Sequence, residues 1–286
     1  MISNRQIIVR LIGGLGNQLF QIQYAMGLQE RIGGMIQVDD SFLAASSKAH
    51  EKLAIVDLNY PFKIIRLDWT QVRLRRNFEK VFNKLRLPVP NFLHQTYHFD
   101  GDERNLEQFK KIIIDGFWQD SKNLYTPFLE HIRKKLFNIQ CKKKSPNSNV
   151  VCVHIRRGDY LNNKNWRGVK QLSVLSLRYY FEAFEYFEKK INDPVFEIYS
   201  DDEPWAIETF RSRLNVKIIQ TKKLDSLELL SRMAGYENYI IANSSLSWWA
   251  AVLATKITKI VVMPMKWTIT MGSERYRLPA WTVIEN

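Results

Sequence analysis

Cysteine is almost missing from this chain: Cys141 and Cys152 are the only two among 286 residues. Two thiols cannot build a disulfide framework, and their spacing matches no paired-cysteine metal site. A reducing compartment is the expectation. Also missing is any run of about 18 uninterrupted apolar residues, so no membrane-spanning helix is expected. The opening stretch, MISNRQIIVRLIGG, has no long apolar core and runs straight into a strand-and-glycine pattern. No targeting segment is expected there, and the protein reads as cytoplasmic or peripheral to a membrane. There is no HExxH, no paired CxxC, no G-x-S-x-G and no Walker A run. The usual short signatures of metal hydrolysis, serine catalysis and P-loop phosphate binding are therefore absent.

Hydrophobic residues make up 45% of the chain and charged residues 25%. Those ordinary globular values exclude a disordered, coiled-coil or collagen-like chain. The length allows two domains of about 150 residues, each able to bury its own core. Lys and Arg number 42 against 29 Asp and Glu, a net charge of +13. Residues 1–144 hold 23 basic and 14 acidic residues, or +9, which leaves +4 for 145–286. Such a balance favours negatively charged partners: nucleic acid, an anionic lipid surface or phosphorylated small molecules.

The polar stretch from Cys141 to Asn149 places a domain boundary near 145. Before it, Ile7–Ile12 is an apolar strand, Gly13–Gly16 a turn, and Asn17 a candidate cap for the helix that follows. Met35–Asp39 completes a β-α-β unit. Val72–Arg86 reads as a basic amphipathic helix, and Ile112–Asp115 as another strand. Such a helix suits an anionic membrane, and equally the solvated face of a packed helix. After the boundary, strands at 150–155, 195–199, 216–219, 239–242 and 259–263 alternate with helices at 177–191, 204–214, 226–235 and 244–254. That alternation predicts a doubly wound parallel sheet.

Three motifs fall at strand ends, where open α/β sheets bind ligands. His154-Ile-Arg-Arg-Gly-Asp159 offers two guanidiniums, whose rigid forks suit a diphosphate. Gly158 permits a backbone path that a side chain would block. The competing reading is a surface cluster of Arg–Asp ion pairs. In Tyr199-Ser-Asp-Asp202, a carboxylate can accept from a guanine edge or from ribose hydroxyls, or Asp202 can simply cap the next helix. Asn243, Ser244 and Ser245 would present hydroxyls and backbone N–H groups at a helix N-terminus, an anion site. Trp248 and Trp249 behind them are core candidates. Gly13-Gly-Leu-Gly16 fails the dinucleotide fingerprint, because the third glycine position is Leu19. His94 and His98 lack a surrounding metal-site pattern, and Asp201-Asp202 are adjacent rather than a D-x-D.

Taken in order, GGLGNQLFQ (13–21), DGFWQDSKNLY (115–125), HIRRGDY (154–160), YSDDEPW (199–205), IIANSSLSWWAAVL (240–253) and LPAWTVI (278–284) resemble glycosyltransferase family 11, the bacterial α-1,2-fucosyltransferases. Residues 45–110 match weakly. The resemblance implies an α/β protein of GT-B type, with two Rossmann-like domains facing across a cleft. Residues 1–145 would bind the acceptor, with Asn17, Gln18 and Asp115 on the acceptor side. Residues 146–286 would hold GDP-fucose. Arg156 would be the diphosphate ligand, flanked by Arg157 and His154. Asp201 and Asp202 would lie near the nucleoside, and Ser244 and Ser245 near the phosphates. Fucose would pass with inversion from GDP-β-L-fucose to the 2-OH of a terminal β-galactose, on a free or lipid-linked glycan such as O-antigen.

No cofactor or metal is expected, because arginine can stabilise the leaving diphosphate. Asp159 is the favoured base, with His154, Asp115 and Asp39 as alternatives and a bracing role for Asp159 beside them. Nucleic acid is not an expected partner; peripheral contact with the inner face of a bacterial membrane is. The rival readings are a transferase for another nucleotide sugar, and a noncatalytic basic binder of RNA or anionic lipid.

Overall fold

The computed structural model describes residues 5–46, 62–85, 95–99, 105–140, 147–161, 172–254 and 259–286. Cys141–Pro146, His94 and Arg86 fall outside them. The chain divides into two compact units, Met1–Phe128 and Leu129–Asn286. The division lies well before the polar stretch near 145. The reason is helix α4 (Thr126–Gln140), which packs with the second unit. There Arg133 donates to the carbonyls of Val252 (2.9 Å) and Leu253 (3.4 Å), and Ser231 donates to Leu136.

The first unit is a five-stranded sheet in the order β3-β2-β1-β5-β4, with all pairs parallel. Strands β1 (Gln6–Arg10), β2 (Met35–Asp39) and β5 (Lys111–Asp115) sit where the apolar runs predict. Strands β3 (Lys63–Ile65) and β4 (Gln95–Phe99) form the two edges and were not anticipated. Between β1 and β2 runs α1 (Leu15–Ile32), and α2 (Ser41–Ala45) and α3 (Trp69–Lys84) follow β2 and β3. Helix α1 is capped by Gly14, not by Asn17, which lies inside the first turn. Gly13 makes this early start possible: its φ of +76° is the left-handed region that favours glycine.

The second unit holds six parallel strands in the order β11-β10-β9-β6-β7-β8. They are β6 (Val150–Ile155), β7 (Val195–Ser200), β8 (Val216–Ile219), β9 (Asn238–Ile240), β10 (Ile260–Pro264) and β11 (Thr282–Ile284). The sequence reading ends the sheet at 259–263; β11 extends it by one strand. Three residues without a periodic signature cannot announce themselves, and β11 is held by its pairing with β10. The helices are the short α5 (Gly158–Leu161), α6 (Leu177–Glu188), α7 (Glu203–Phe210), α8 (Ser226–Ala234) and α9 (Ser245–Leu253).

Helix α6 buries Tyr179, Tyr180, Ala183, Phe184 and Phe187, a stripe at helical spacing, against Phe196, Ile198, Val151 and Val153 of the sheet. Helix α9 is buried from Ser247 to Leu253, and Trp248 and Trp249 are fully enclosed within it. Cys152 faces the interior of β6, and burial pushes its thiol pKa well up, with Glu197 adding to the shift.

Asp39, at the end of β2, is fully buried. It accepts from the Ser41 N–H (3.2 Å) and hydroxyl (3.1 Å), the Leu67 N–H (3.0 Å) and the Trp69 indole N–H (2.7 Å). This carboxylate ties α2 and α3 to the sheet. Asp39→Ala would orphan these donors at about 1–3 kcal/mol each, less whatever water recovers. We expect a loss of at least about 3 kcal/mol in urea unfolding. A loss within experimental error would show that the network is dispensable.

Candidate active site

In the second unit the strand order reverses between β6 and β9. From β6 the chain winds outward through β7 and β8; it then returns to β9 on the other side and continues to β10 and β11. A crevice opens at the carboxyl ends of strands at such a switch point. The residues there are His154, next to last in β6, Arg156 and Arg157 just after it, and Ala242, Asn243 and Ser244 after β9. Tyr160 joins the two sides, its hydroxyl donating to the Asn243 carbonyl (3.0 Å).

Arg156 lies between two carboxylates, at 2.9 Å from Asp159 and 3.1 Å from Asp201. Arg157 pairs with Asp202 at 3.1 Å and stacks over Trp205, 3.7 Å from the ring centroid. Its backbone N–H donates to Asp201 (2.8 Å). The helix-cap reading of Asp202 holds, and its carboxylate also pairs with Arg157. One oxygen caps α7 by accepting from the Trp205 N–H (3.3 Å), while the other holds Arg157. Gly158 is required by close approach: a Cβ there would sit 2.9 Å from the Asp201 carboxylate. Asp159, at 37% side-chain exposure, is the most open carboxylate of the cluster.

Behind the arginines lies buried His154, whose Nδ1 has no hydrogen-bond partner. Burial drives its pKa down to about 4; Asp201 pulls it up and Arg156 pushes it lower. The imidazole is therefore neutral at physiological pH, and a very weak base. Asn243 is buried too. Its amide nitrogen donates to the carbonyls of Ser173 and Trp267, both at 3.1 Å, and its Oδ1 has no partner. Ser244 is the N-cap residue of α9 and Ser245 its first residue.

In the first unit the corresponding switch lies between β1 and β5. Arg10 pairs there with Asp115 at 3.2 Å, and its guanidinium stacks 3.7 Å from the Trp69 ring centroid and 5.7 Å from that of exposed Phe42. The sequence reading missed Arg10, which looks like one strand residue among apolar neighbours. Asn17 accepts from Gln119 (2.6 Å). Gln18 is fully buried and donates to the Gly13 carbonyl (3.0 Å), so it braces the turn from inside. His98 is buried against Trp118 and hydrogen-bonded to the Tyr24 hydroxyl.

Comparison with known proteins gives this geometry a lineage. The profile of glycosyl transferase family 11 matches residues 6–285. The chain belongs to glycosyl transferase family 11. Within that family's range it is 28% identical over 298 residues to the O-antigen biosynthesis glycosyltransferase WbnK of Escherichia coli, covering 95% of this chain and 98% of that protein. It is 31% identical over 291 residues to an α-1,2-colitosyltransferase of Escherichia coli, covering 91% and 92%. Among solved structures it is similar in fold to Arabidopsis thaliana FUT1, crystallised as a variant with GDP. The TM-score is 0.50 at 8% identity, covering 87% of this chain and 68% of that one. The family 11 chain is thus a glycosyltransferase with two parallel-sheet units of GT-B type. No described helix is long and apolar enough to cross a membrane.

The neutral His154 has a consequence for stability. Its folded pKa of about 4 lies below the ordinary 6.5, so the unfolded chain binds the extra proton first as pH falls. Stability is full above pH 6.5 and declines toward pH 4, by on the order of 3 kcal/mol from this group alone. In His154→Gln the acid-side slope of unfolding free energy should flatten across that window. An unchanged slope would mean His154 takes up its proton at the same pH folded as unfolded, so burial does not depress it.

Proposed function

We propose that this family 11 chain transfers L-fucose from GDP-β-L-fucose, with inversion, to the 2-OH of a terminal β-galactose on a surface glycan such as O-antigen. The observation that carries the reading is the Arg156–Arg157 pair, held by Asp201 and Asp202 at the switch point of the second unit. Two oriented guanidiniums at strand ends match the oxygens of a diphosphate leaving group. Asn243 Oδ1, a buried acceptor without a partner, is available to a hydroxyl or amine of the nucleotide sugar. Arg10, Asp115 and Phe42 are the proposed acceptor side, with an aromatic face and a charged pair for sugar hydroxyls.

The charge needed at the leaving diphosphate comes from guanidinium rather than from a metal ion in this proposal. Asp201 and Asp202 are already engaged by arginine, which disposes them poorly toward a cation. Asp159 is the proposed base. Before the nucleotide sugar arrives its carboxylate pairs with Arg156; a diphosphate, carrying more charge, takes over that guanidinium and releases Asp159. A freed carboxylate can then accept the proton of the attacking hydroxyl.

A second reading is favoured by the colitosyltransferase relative: the same site would carry a colitosyl rather than a fucosyl group. A thermal-shift panel of nucleotide sugars separates the readings. GDP-fucose and GDP should stabilise the protein, and Arg156→Ala should weaken both by the 2–5 kcal/mol typical of a truncated buried charge pair, about 30-fold or more. Stabilisation by a uridine or cytidine sugar alone would reject the guanine site. Preference for the colitosyl nucleotide in transfer assays would select the second reading.

Asp159→Asn separates base from brace. GDP-fucose affinity should hold while turnover falls by about 10²–10⁴-fold, and EDTA should leave the wild-type rate unchanged. Parallel collapse of affinity and turnover would make Asp159 a brace for Arg156 only.

A further inference from the structure

Helix α3 carries its apolar side on the outside. Leu74, Phe78, Val81 and Leu85 are each more than half exposed. At 100° per residue, their spacing of four, three and four places them within an arc of about 60°. Leu85 continues the helical ladder, its N–H donating to the Val81 carbonyl (3.0 Å). Val72 lies on the opposite side of the helix, buried with Ile8 and Ile113 of the sheet. The stripe is therefore no part of the core of the first unit. Asp68 fixes the start of the helix, accepting from the N–H groups of Thr70 (2.9 Å) and Gln71 (3.4 Å).

We propose that this face of α3 docks on an anionic lipid surface. Charge complementarity names the occupant. The segment Trp69–Lys84 contains Arg73, Arg75, Arg76, Lys80 and Lys84 against Glu79 alone, a balance of +4. A second copy would bring the same positive helix against its like, within a chain of +13. An anionic bilayer attracts the basic residues and also buries the apolar ones in its acyl boundary. A nucleic acid would satisfy the charge and leave the stripe in water. Attachment of this kind is peripheral and makes no demand for a spanning helix. The inference does not depend on which sugar the protein transfers.

The test is flotation of the full chain with vesicles of phosphatidylcholine, alone or mixed with phosphatidylglycerol. Wild type should float with the mixed vesicles at low salt and not with the neutral ones. Phe78→Ser with Leu85→Ser should lower the partition coefficient at least about tenfold, and Phe78→Leu should retain it. Arg73→Glu with Lys84→Glu should abolish the preference for the anionic lipid. All these variants should keep the wild-type melting temperature and its response to GDP. Equal flotation of the serine pair would overturn the proposal. So would a wild-type dimer in sedimentation that the serine pair dissociates, because the stripe would then be covered by a second copy. RNA binding lost in the serine pair would overturn it as well.

Discussion

The whole of the second unit depends on one backbone arrangement: β6 is hydrogen-bonded in parallel to β7 on one side and β9 on the other. Parallel pairing forces each connection to cross a face of the sheet, so helices cover both sides. The crossovers leave β6 in opposite directions, and the chain ends after β6 and β9 are thrown apart. The space between them receives His154, Arg156 and Asn243. None of these residues creates the crevice; they occupy the opening that the strand order makes.

The charges at the opening are arranged as ion pairs. Two guanidiniums meet three carboxylates, and each has a distinct partner: Arg157 is locked by Asp202 and by the Trp205 ring, and Arg156 is shared between Asp159 and Asp201. Arg157 is held on two sides, by a carboxylate and by an aromatic ring. In the proposed reaction the shared arginine trades Asp159 for the diphosphate. Preorganisation and exchange are thus divided between neighbouring residues in one motif. His154 beneath them stays uncharged, so the only positive charges in this cluster are the two guanidiniums.

Much of this was legible in the sequence, because the signals are local. Strands Met35–Asp39, Val150–Ile155 and Val216–Ile219 begin and end as their apolar runs do. Gly158 reads as a close-approach glycine, and its neighbour proves to be the Asp201 carboxylate. What escaped was non-local. β4 and β11 are short edge strands, held by a neighbour rather than by their own pattern. Arg10 gains its meaning only when Trp69 and Asp115 arrive from elsewhere in the chain. Gln18 was placed on the acceptor side by the family resemblance alone; its side chain is fully buried and donates to the Gly13 carbonyl. At Asp202 the cap was legible, while the second oxygen's hold on Arg157 was not, because Arg157 lies 45 residues away, just after another strand.

Cys152 lies inside the strand on which this arrangement rests, fully enclosed and with its thiol held protonated. Thiolate is the nucleophilic form, so alkylating reagents and oxidants find no target there while the sheet is intact. Modification requires β6 to open, and opening β6 also withdraws the backbone that carries Arg156 and Arg157. The rate of thiol capture at this position is therefore a clock for the loss of the arginine pair, readable without any sugar, nucleotide or assay of transfer.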